Sequence, residues 1–408
     1  VKFRNRFLTI PATLLAASGI FSGTSGQQAS LESGTNSHSA VGRFCPPAWN
    51  VISSPNGNLD DNSLGDVDAI SSDDMWAVGT TGIGANPINT LTEHWNGTNW
   101  TVVPSPNGIF PVNYLIGVAA VSSSDVWAVG YTDNGSVSDS QSRTLILHWN
   151  GTSWSLIPSP NTSRPNNWLY AVAAISPDDV WAVGASYNYS VYRTLILHWD
   201  GVSWSIVPSP NPSYTYDALY GVDAVSENNV WAVGAQSEFL EQTLVVHWDG
   251  SAWTAVPSPN IGPYGNNMLD VSARSATDVW AVGYHLTVNG FDQPYQTSAF
   301  HYDGVSWSAV PTPNMNLMNN YLFGVVGVAG DNAWAVGFWD TNTALDTMIQ
   351  HWDGESWTIV PSPSPGAYLN ELVALDALSA NNIWAVGTWT DGLFGVNTLV
   401  QRFSRTCP

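Results

Sequence analysis

The sequence predicts an all-β chain, a seven-bladed β-propeller of four-stranded antiparallel blades whose last blade is closed by the N-terminal strand. Three observations lead there. Trp-Ala-Val-Gly recurs seven times, beginning at Trp76, Trp127, Trp181, Trp231, Trp280, Trp334 and Trp384. One repeat reads as four short strands parted by turn residues. The count is uneven at the two ends of the chain, in a way that makes the ends complementary. A fixed period of about 50 residues built from strands suits a propeller blade better than a helical or leucine-rich unit.

A second motif follows each of the first six copies: His, an aromatic, Asn or Asp, then Gly, starting at His94, His148, His198, His247, His301 and His351. A third, Trp-Thr/Ser-x-x-Pro, ends the unit, as in Trp154 to Pro158 and Trp204 to Pro208. In the repeat 169–208, Leu169 to Ser176 is an apolar, β-branched first strand. Ser176-Pro177-Asp178-Asp179 is a turn. Val180 to Val183 is a second strand ended by Gly184, and Thr194 to Trp199 is the third. Asp200-Gly201 predicts a type I′ hairpin into a fourth strand at Trp204 to Pro208. The second strand is apolar on both alternating faces, as a sheet sandwiched between neighbours requires. Small residues such as Gly117 to Ala120 suit the crowded inner end of a wedge, and Trp suits its wider part. A blade with two apolar faces is not stable alone.

The seventh unit has three strands, and its fourth is sought at the other end. Trp49-Asn50-Val51-Ile52 before Ser54-Pro55-Asn56 matches the end of other blades. The only two cysteines, Cys45 and Cys407, flank that composite hairpin. A disulfide between them is expected to lock the seam, contributing up to roughly 5–6 kcal/mol for so long a loop.

Lys2, Arg4 and Arg6, the apolar run 7–21 and the small residues 22–26 have the layout of a secretory signal peptide. Residues 27–44 read as a flexible linker and 45–408 as the propeller. After residue 26 lie all 32 acidic residues but only 7 of the 10 basic ones, for a net charge of −25 and no Lys. Such a surface repels nucleic acid and anionic membranes. No later stretch is apolar enough to span a membrane. A secreted or cell-surface monomer is expected.

The Trp-Ala-Val-Gly and His-Trp-Asp-Gly blades resemble a group of secreted bacterial propeller proteins over residues 45–408, and in blade length they are more distantly similar to kelch and galactose-oxidase propellers. The resemblance implies a fold and little about function. The paired glycines of kelch blades are missing, and an oxidase of that type would need a cysteine for its tyrosine crosslink.

The six repeated histidines tempt a metal reading, but one per blade is too dispersed to share an ion. A structural hydrogen bond is expected instead, and no metal or cofactor. The recurrent turn Asp residues are explained by turn formation. No phosphate loop, nucleophile elbow or Cys-x-x-Cys pair stands out. Function is sought where the repeats disagree, in the loops before the first strand and between the second and third, which share one face. There His285, Trp339 and Trp389 occupy one position in three consecutive blades, with Asp340 and Asp391 close by. Aromatic faces beside carboxylates suit sugar rings, although the same aromatics could simply pack loops. The expected function is a non-catalytic binding module for a glycan or an extracellular protein. A glycoside hydrolase or lyase using paired carboxylates and a structural surface protein are the alternatives.

Overall fold

The computed structural model describes residues 47–84, 87–136, 138–288, 294–392 and 395–404. The segments expected as signal peptide and linker, and both cysteines, lie outside the described residues. Twenty-eight strands form five sheets of four and one of eight. The larger sheet is two four-stranded units joined by a single parallel bridge, Leu345 to Leu369. The strands thus make seven blades of four. Blades 1 to 6 span 62–102, 112–156, 166–206, 216–256, 264–310 and 320–360. Blade 7 takes its first three strands from 369–404 and its fourth, Ala48–Ile52, from the other end of the chain.

Blade 3 shows why the repeat folds this way. Its strands are Asn166–Ser176, Asp179–Tyr187, Tyr192–Trp199 and Trp204–Ile206, paired antiparallel in order. Two details differ from the sequence reading. Gly184 does not end the second strand, which runs on to Tyr187. Glycine is required there because the first strand bulges between Leu169 and Ala171, and a Cβ at Gly184 would lie 2.0 Å from the Trp168 carbonyl oxygen. The Asp200-Gly201 connection is also not a type I′ turn, since only Gly201 takes a positive φ. It is a four-residue link, residues 200–203, whose Asp200 carboxylate accepts from the Val202 and Ser203 amides at 2.9 and 2.8 Å. The third and fourth strands need not twist tightly together, and Pro208 falls beyond the fourth strand.

The apolar core lies between blades rather than within them. One cluster joins Trp127, Val129 and Ile146 of blade 2 to Leu169, Val172, Val180 and Trp204 of blade 3. The Trp of each Trp-Ala-Val-Gly is the centre of such an interface. Trp127 meets Trp199 at 5.0 Å and Trp204 edge-on at 5.4 Å. Trp181 repeats this against Trp248 and Trp253 of blade 4 at 4.9 and 5.3 Å. The histidine of each blade stacks on the other side of the same indole, as His198 does on Trp181 at 4.1 Å, and its Nε2 bonds Asp179 at 2.8 Å. That is the structural hydrogen bond expected from the sequence. In blade 7 Arg402 fills the slot, 4.8 Å over Trp384 and bonded to Asn382.

At the two ends of the chain the same contacts recur. Trp49 pairs with Phe403 and meets Trp334 of blade 6 edge-on at 5.8 Å. Trp384 of blade 7 meets Trp95 and Trp100 of blade 1 at 5.0 and 5.9 Å. A polar clamp is repeated too. In blade 3 the Thr194 hydroxyl shares a hydrogen bond with Ser209 at 2.7 Å, and its amide donates to Asn211 at 2.9 Å. In blade 7 Thr398 does the same with Ser54 and Asn56, 344 and 342 residues away, at 2.7 and 3.1 Å. Removing a buried Trp costs about 3–5 kcal/mol. Trp49→Ala should therefore destabilise as much as Trp204→Ala, by about that amount in denaturant unfolding. A cost under about 1 kcal/mol at Trp49 alone, the range of ordinary surface substitutions, would mean the first strand is not part of the core.

Candidate functional site

Every first strand carries a β-bulge at the same place. The extra residue runs from Gly65 in blade 1 through Tyr170, Tyr220 and Phe323 to Val373 in blade 7, and these residues line the central channel. The inner strands are thus not uniformly small, as the sequence suggested, because in every blade but the first the bulge turns an apolar or aromatic side chain toward the axis. The space left is about 130 Å³, below the roughly 300 Å³ at which small-ligand sites begin. A ligand the size of an oligosaccharide does not fit between these side chains.

Beside the bulges the inner strands carry buried acids that join one blade to the next. Asp66 accepts from the Val118 amide at 2.8 Å and Asp68 from Ala120 at 2.6 Å. Asp223 accepts from Ala273 at 2.6 Å and Asp270 from Val325 at 2.9 Å. Asp376 of blade 7 accepts from Ala69 of blade 1 at 2.8 Å. Desolvation outweighs these bonds. It raises Asp66 to about 8, Asp270 to about 7 and Asp223 to about 6. Asp68 is pushed up by burial and then by the facing Asp376 charge.

Two glutamates are buried apart from this ring. Burial raises Glu371 to about 7 and Glu93 to about 8. Glu93 is fully buried and neither carboxyl oxygen has a partner. It pairs with Ala77, the register position that Gln350 and Gln401 hold in blades 6 and 7. Those amides donate to the Pro313 and Pro363 carbonyls of the preceding blade at 2.9 and 2.8 Å. A glutamate can donate in that slot only when protonated.

The loop face is organised by a residue that the sequence reading missed. Near the start of each first strand stands a buried Asn, or Asp in blade 4, that accepts from the loop before it. Asn62 accepts from the Gly57 amide at 2.9 Å, Asn167 from Thr162 at 2.9 Å and Asp217 from Ser213 at 3.0 Å. The signal was a polar residue four to seven places before the small inner residues, visible only once the repeats are aligned on the bulge.

The five residues singled out from the sequence stand on this face, opposite those asparagines. His285 pairs with Asn266, Trp339 with Asn320 and Trp389 with Asn370. His285 is buried and its Nδ1 bonds the Ser298 hydroxyl at 3.0 Å. Trp339 packs on the blade 5–6 core and Trp389 on the blade 6–7 core. The Trp389 indole N–H donates to the Thr398 carbonyl at 3.1 Å. Asp340 accepts from the Asn342 amide at 2.8 Å and exposed Asp391 from Ala367 at 3.2 Å. Each acid holds its own loop, and no hydrogen bond or ion pair joins the two.

More prominent is the rim. Of the 17 large apolar or aromatic residues exposed among the described residues, 11 lie in the loops of this face. They include Tyr214 at 79%, Leu317 at 86% and Phe239 at 93% exposure. The opposite face, built of short turns, shows two, Val202 and Val305.

No protein-family model matches the chain, and no curated protein matches it significantly. Solved structures do. YCF48 from Cyanidioschyzon merolae superposes with a TM-score of 0.53 at 15% identity, over 88% of this chain and 98% of that one. YCF48 bound to a D1 peptide gives 0.52 at 12%, over 87% and 96%. An ulvan lyase of polysaccharide lyase family PL25, bound to -[GlcA(1-4)Rha3S]-, gives 0.51 at 9%, over 86% and 95%. The chain is a β-propeller. At these identities the likeness extends to the fold alone.

The buried acids give this propeller a defined pH response. A carboxyl whose pKa is raised by folding stabilises the fold fully below its unfolded value, and that contribution is lost as pH rises through the folded value. The window runs from about 4 to about 8. His247, His285 and His351, lowered from 6.5 by burial, act in the opposite sense below that pH. The melting temperature should therefore fall most clearly between pH 6.5 and 8. Glu93→Gln, which installs the amide of blades 6 and 7, should flatten that fall and stabilise by roughly 4 kcal/mol at pH 8. A parent protein equally stable across this range would exclude protonated buried acids.

Proposed function

We propose that this propeller is a secreted or cell-surface binding module without chemistry of its own, whose variable-loop face docks an extracellular glycan or protein. The observation that carries it is the asymmetry of the two faces. Contiguous exposed apolar surface on a stable protein marks an interaction site, and here it gathers on the loops that differ between blades. The short turns of the other face are regular and show only Val202 and Val305 among the exposed large apolar residues described. Asp391 and the loops propped by Trp339 and Trp389 form the blade 6–7 sector of that face, with Asp340 and His285 bracing it. The space between the channel-lining side chains, about 130 Å³, is smaller than small-ligand sites, which favours the loops as the contact surface.

The test is an array of glycans and extracellular proteins probed with the intact chain. Phe239→Ser with Leu317→Ser should weaken the hits at least tenfold, while Val202→Ser with Val305→Ser on the opposite face should leave them unchanged. Equal loss from both pairs would remove the assignment of the face. Release of oligosaccharide from a polysaccharide, abolished by Asp340→Asn or Asp391→Asn, would replace the module with an enzyme.

The proposal includes an oxidising destination, and so a Cys45–Cys407 disulfide at the seam. The pairing of Trp49 with Phe403 supports it, because each cysteine is four residues further along its own segment of chain. Mass spectrometry without reduction should recover the two cysteine peptides as one linked species. Two thiols open to alkylation would refute the bridge.

A further inference from the structure

We propose that blades 2 to 4 carry, on the variable-loop face, a site for an acidic saccharide bearing carboxylate or sulfate groups, bound by Arg143, Arg164 and Arg193 over a floor of tyrosines. The inference rests on the binding function proposed above and adds the sector and the charge of the ligand.

Positive charge is scarce in this chain, and its placement is uneven. Two of the five described arginines serve the fold. Arg274 is paired with Asp278 at 2.6 Å, and Arg402 covers Trp384. The other three follow one another across adjacent blades. Arg143 donates through Nη1 to the Pro165 carbonyl at 2.8 Å, next to Arg164. Arg164 donates to the Val191 carbonyl at 2.9 Å, two residues from Arg193. Arg193 reaches the Tyr214 carbonyl at 3.2 Å and Asp217 at 3.3 Å.

These contacts pin each guanidinium by one edge, and all three side chains remain partly exposed. Arg143 and Arg164 pair with no carboxylate among the described residues, in a chain with 32 acids. Burial and then the nearby Arg193 charge lower the Arg164 pKa, so the cations oppose one another. Asp217 is spent on Arg193, and Asp133 nearby is held by the Ser142 and Ser140 hydroxyls at 2.5 and 3.3 Å. Clustered arginines left without a counter-charge suit an external anion, because their planar forks bind carboxylate and sulfate with two hydrogen bonds at once.

The surroundings favour a sugar over an acidic peptide. Tyr187 stacks on Tyr192 at 4.1 Å, with Trp168 and Tyr216 beside them. Tyr189 is held at a φ of 68°, a left-handed conformation disfavoured outside glycine. It stands 51% exposed with its hydroxyl on the Ser140 carbonyl at 2.7 Å, bridging blades 3 and 2. Tyr214 projects from the next loop. Rings present flat faces to pyranose C–H surfaces, while the exposed aliphatic residues Met315, Leu317 and Met318 lie in the loop before blade 6. The net negative charge does not forbid a polyanion, since at physiological salt repulsion is screened beyond about 8 Å and contact pairs are not.

Affinity electrophoresis of the intact chain through polygalacturonate, a sulfated galactan and a neutral galactan tests this, with poly-glutamate as the peptide control. Retardation is expected in one or both acidic glycans and not in the neutral one. Arg143→Gln with Arg164→Gln should weaken it at least tenfold, and the two Lys substitutions should restore part of it. Tyr214→Ala should weaken it several-fold. The Tyr214 side chain makes no hydrogen bond among the described residues, so this variant carries the test if the arginine variants unfold. Equal retardation by neutral galactan, preference for poly-glutamate, or indifference to both sets of variants would overturn the site. Such a result beside rim-dependent capture of another ligand leaves the binding function standing. Failure of the intact chain to bind any ligand on either face removes both.

Discussion

The indole of Trp-Ala-Val-Gly is the contact on which this ring depends. It is buried where two blades meet, with a histidine of its own blade on one side and two aromatics of the next blade on the other. A blade has two apolar faces, and each Trp covers one of its own and one of its neighbour's. The interface between blades 7 and 1 uses Trp384 with Trp95 and Trp100, and that between blades 6 and 7 uses Trp334 with Trp49 and Phe403. Seven like interfaces mean that none can be lost without exposing two faces. The strand contributed by residues 48–52 is therefore part of the core rather than an accessory to it.

That repetition also separates the two faces. The turns between first and second strands and between third and fourth sit where the interface geometry repeats, and they stay short. Each connection from a fourth strand to the next first strand begins after the clamp of Thr with Pro-Ser/Thr-Pro-Asn/Ser and is held at its far end by the buried Asn, or Asp217 in blade 4, of that strand. Between those fixed points the chain can vary without disturbing any interface. Part of the apolar rim occupies that freedom, as does Arg164, while Arg143 and Arg193 stand at the starts of third strands beside it.

What the sequence revealed follows from the same division. Trp181, His198 and Gly201 recur because each blade needs them, and recurrence can be read without a structure. Even the origin of the last strand was legible, since Trp49 and Ser54-Pro55-Asn56 repeat a pattern missing after Phe403. Gly184 was misread because a glycine at the close of an apolar run looks like a stop. Its cause, the Trp168 carbonyl of a bulged neighbour, belongs to another strand. The arginine cluster was invisible for a related reason. Arg143, Arg164 and Arg193 share no repeat position as a set, and only the stacking of blades 2, 3 and 4 brings them together. His285, Trp339 and Trp389 did share a position, and they pack or bond opposite a buried Asn that recurs in every blade but the fourth, where Asp217 replaces it.

The buried acids follow from narrowing a ring of strands toward its axis. Inner strands of adjacent blades diverge from true pairing, so their amides lack carbonyl partners, and Asp66, Asp223, Asp270 and Asp376 accept from them instead. A carboxylate meets that need at the expense of losing water. In so narrow a channel desolvation exceeds the gain from one or two amide bonds, and the carboxyl pKa values rise. Glu93 has the same conflict without any amide to relieve it. Gln350 and Gln401 show that a donor, not an anion, suits its position. The acids that join the blades are thus best suited to mildly acidic surroundings, and between blades 7 and 1 the facing Asp376 charge adds to burial in pushing Asp68 up.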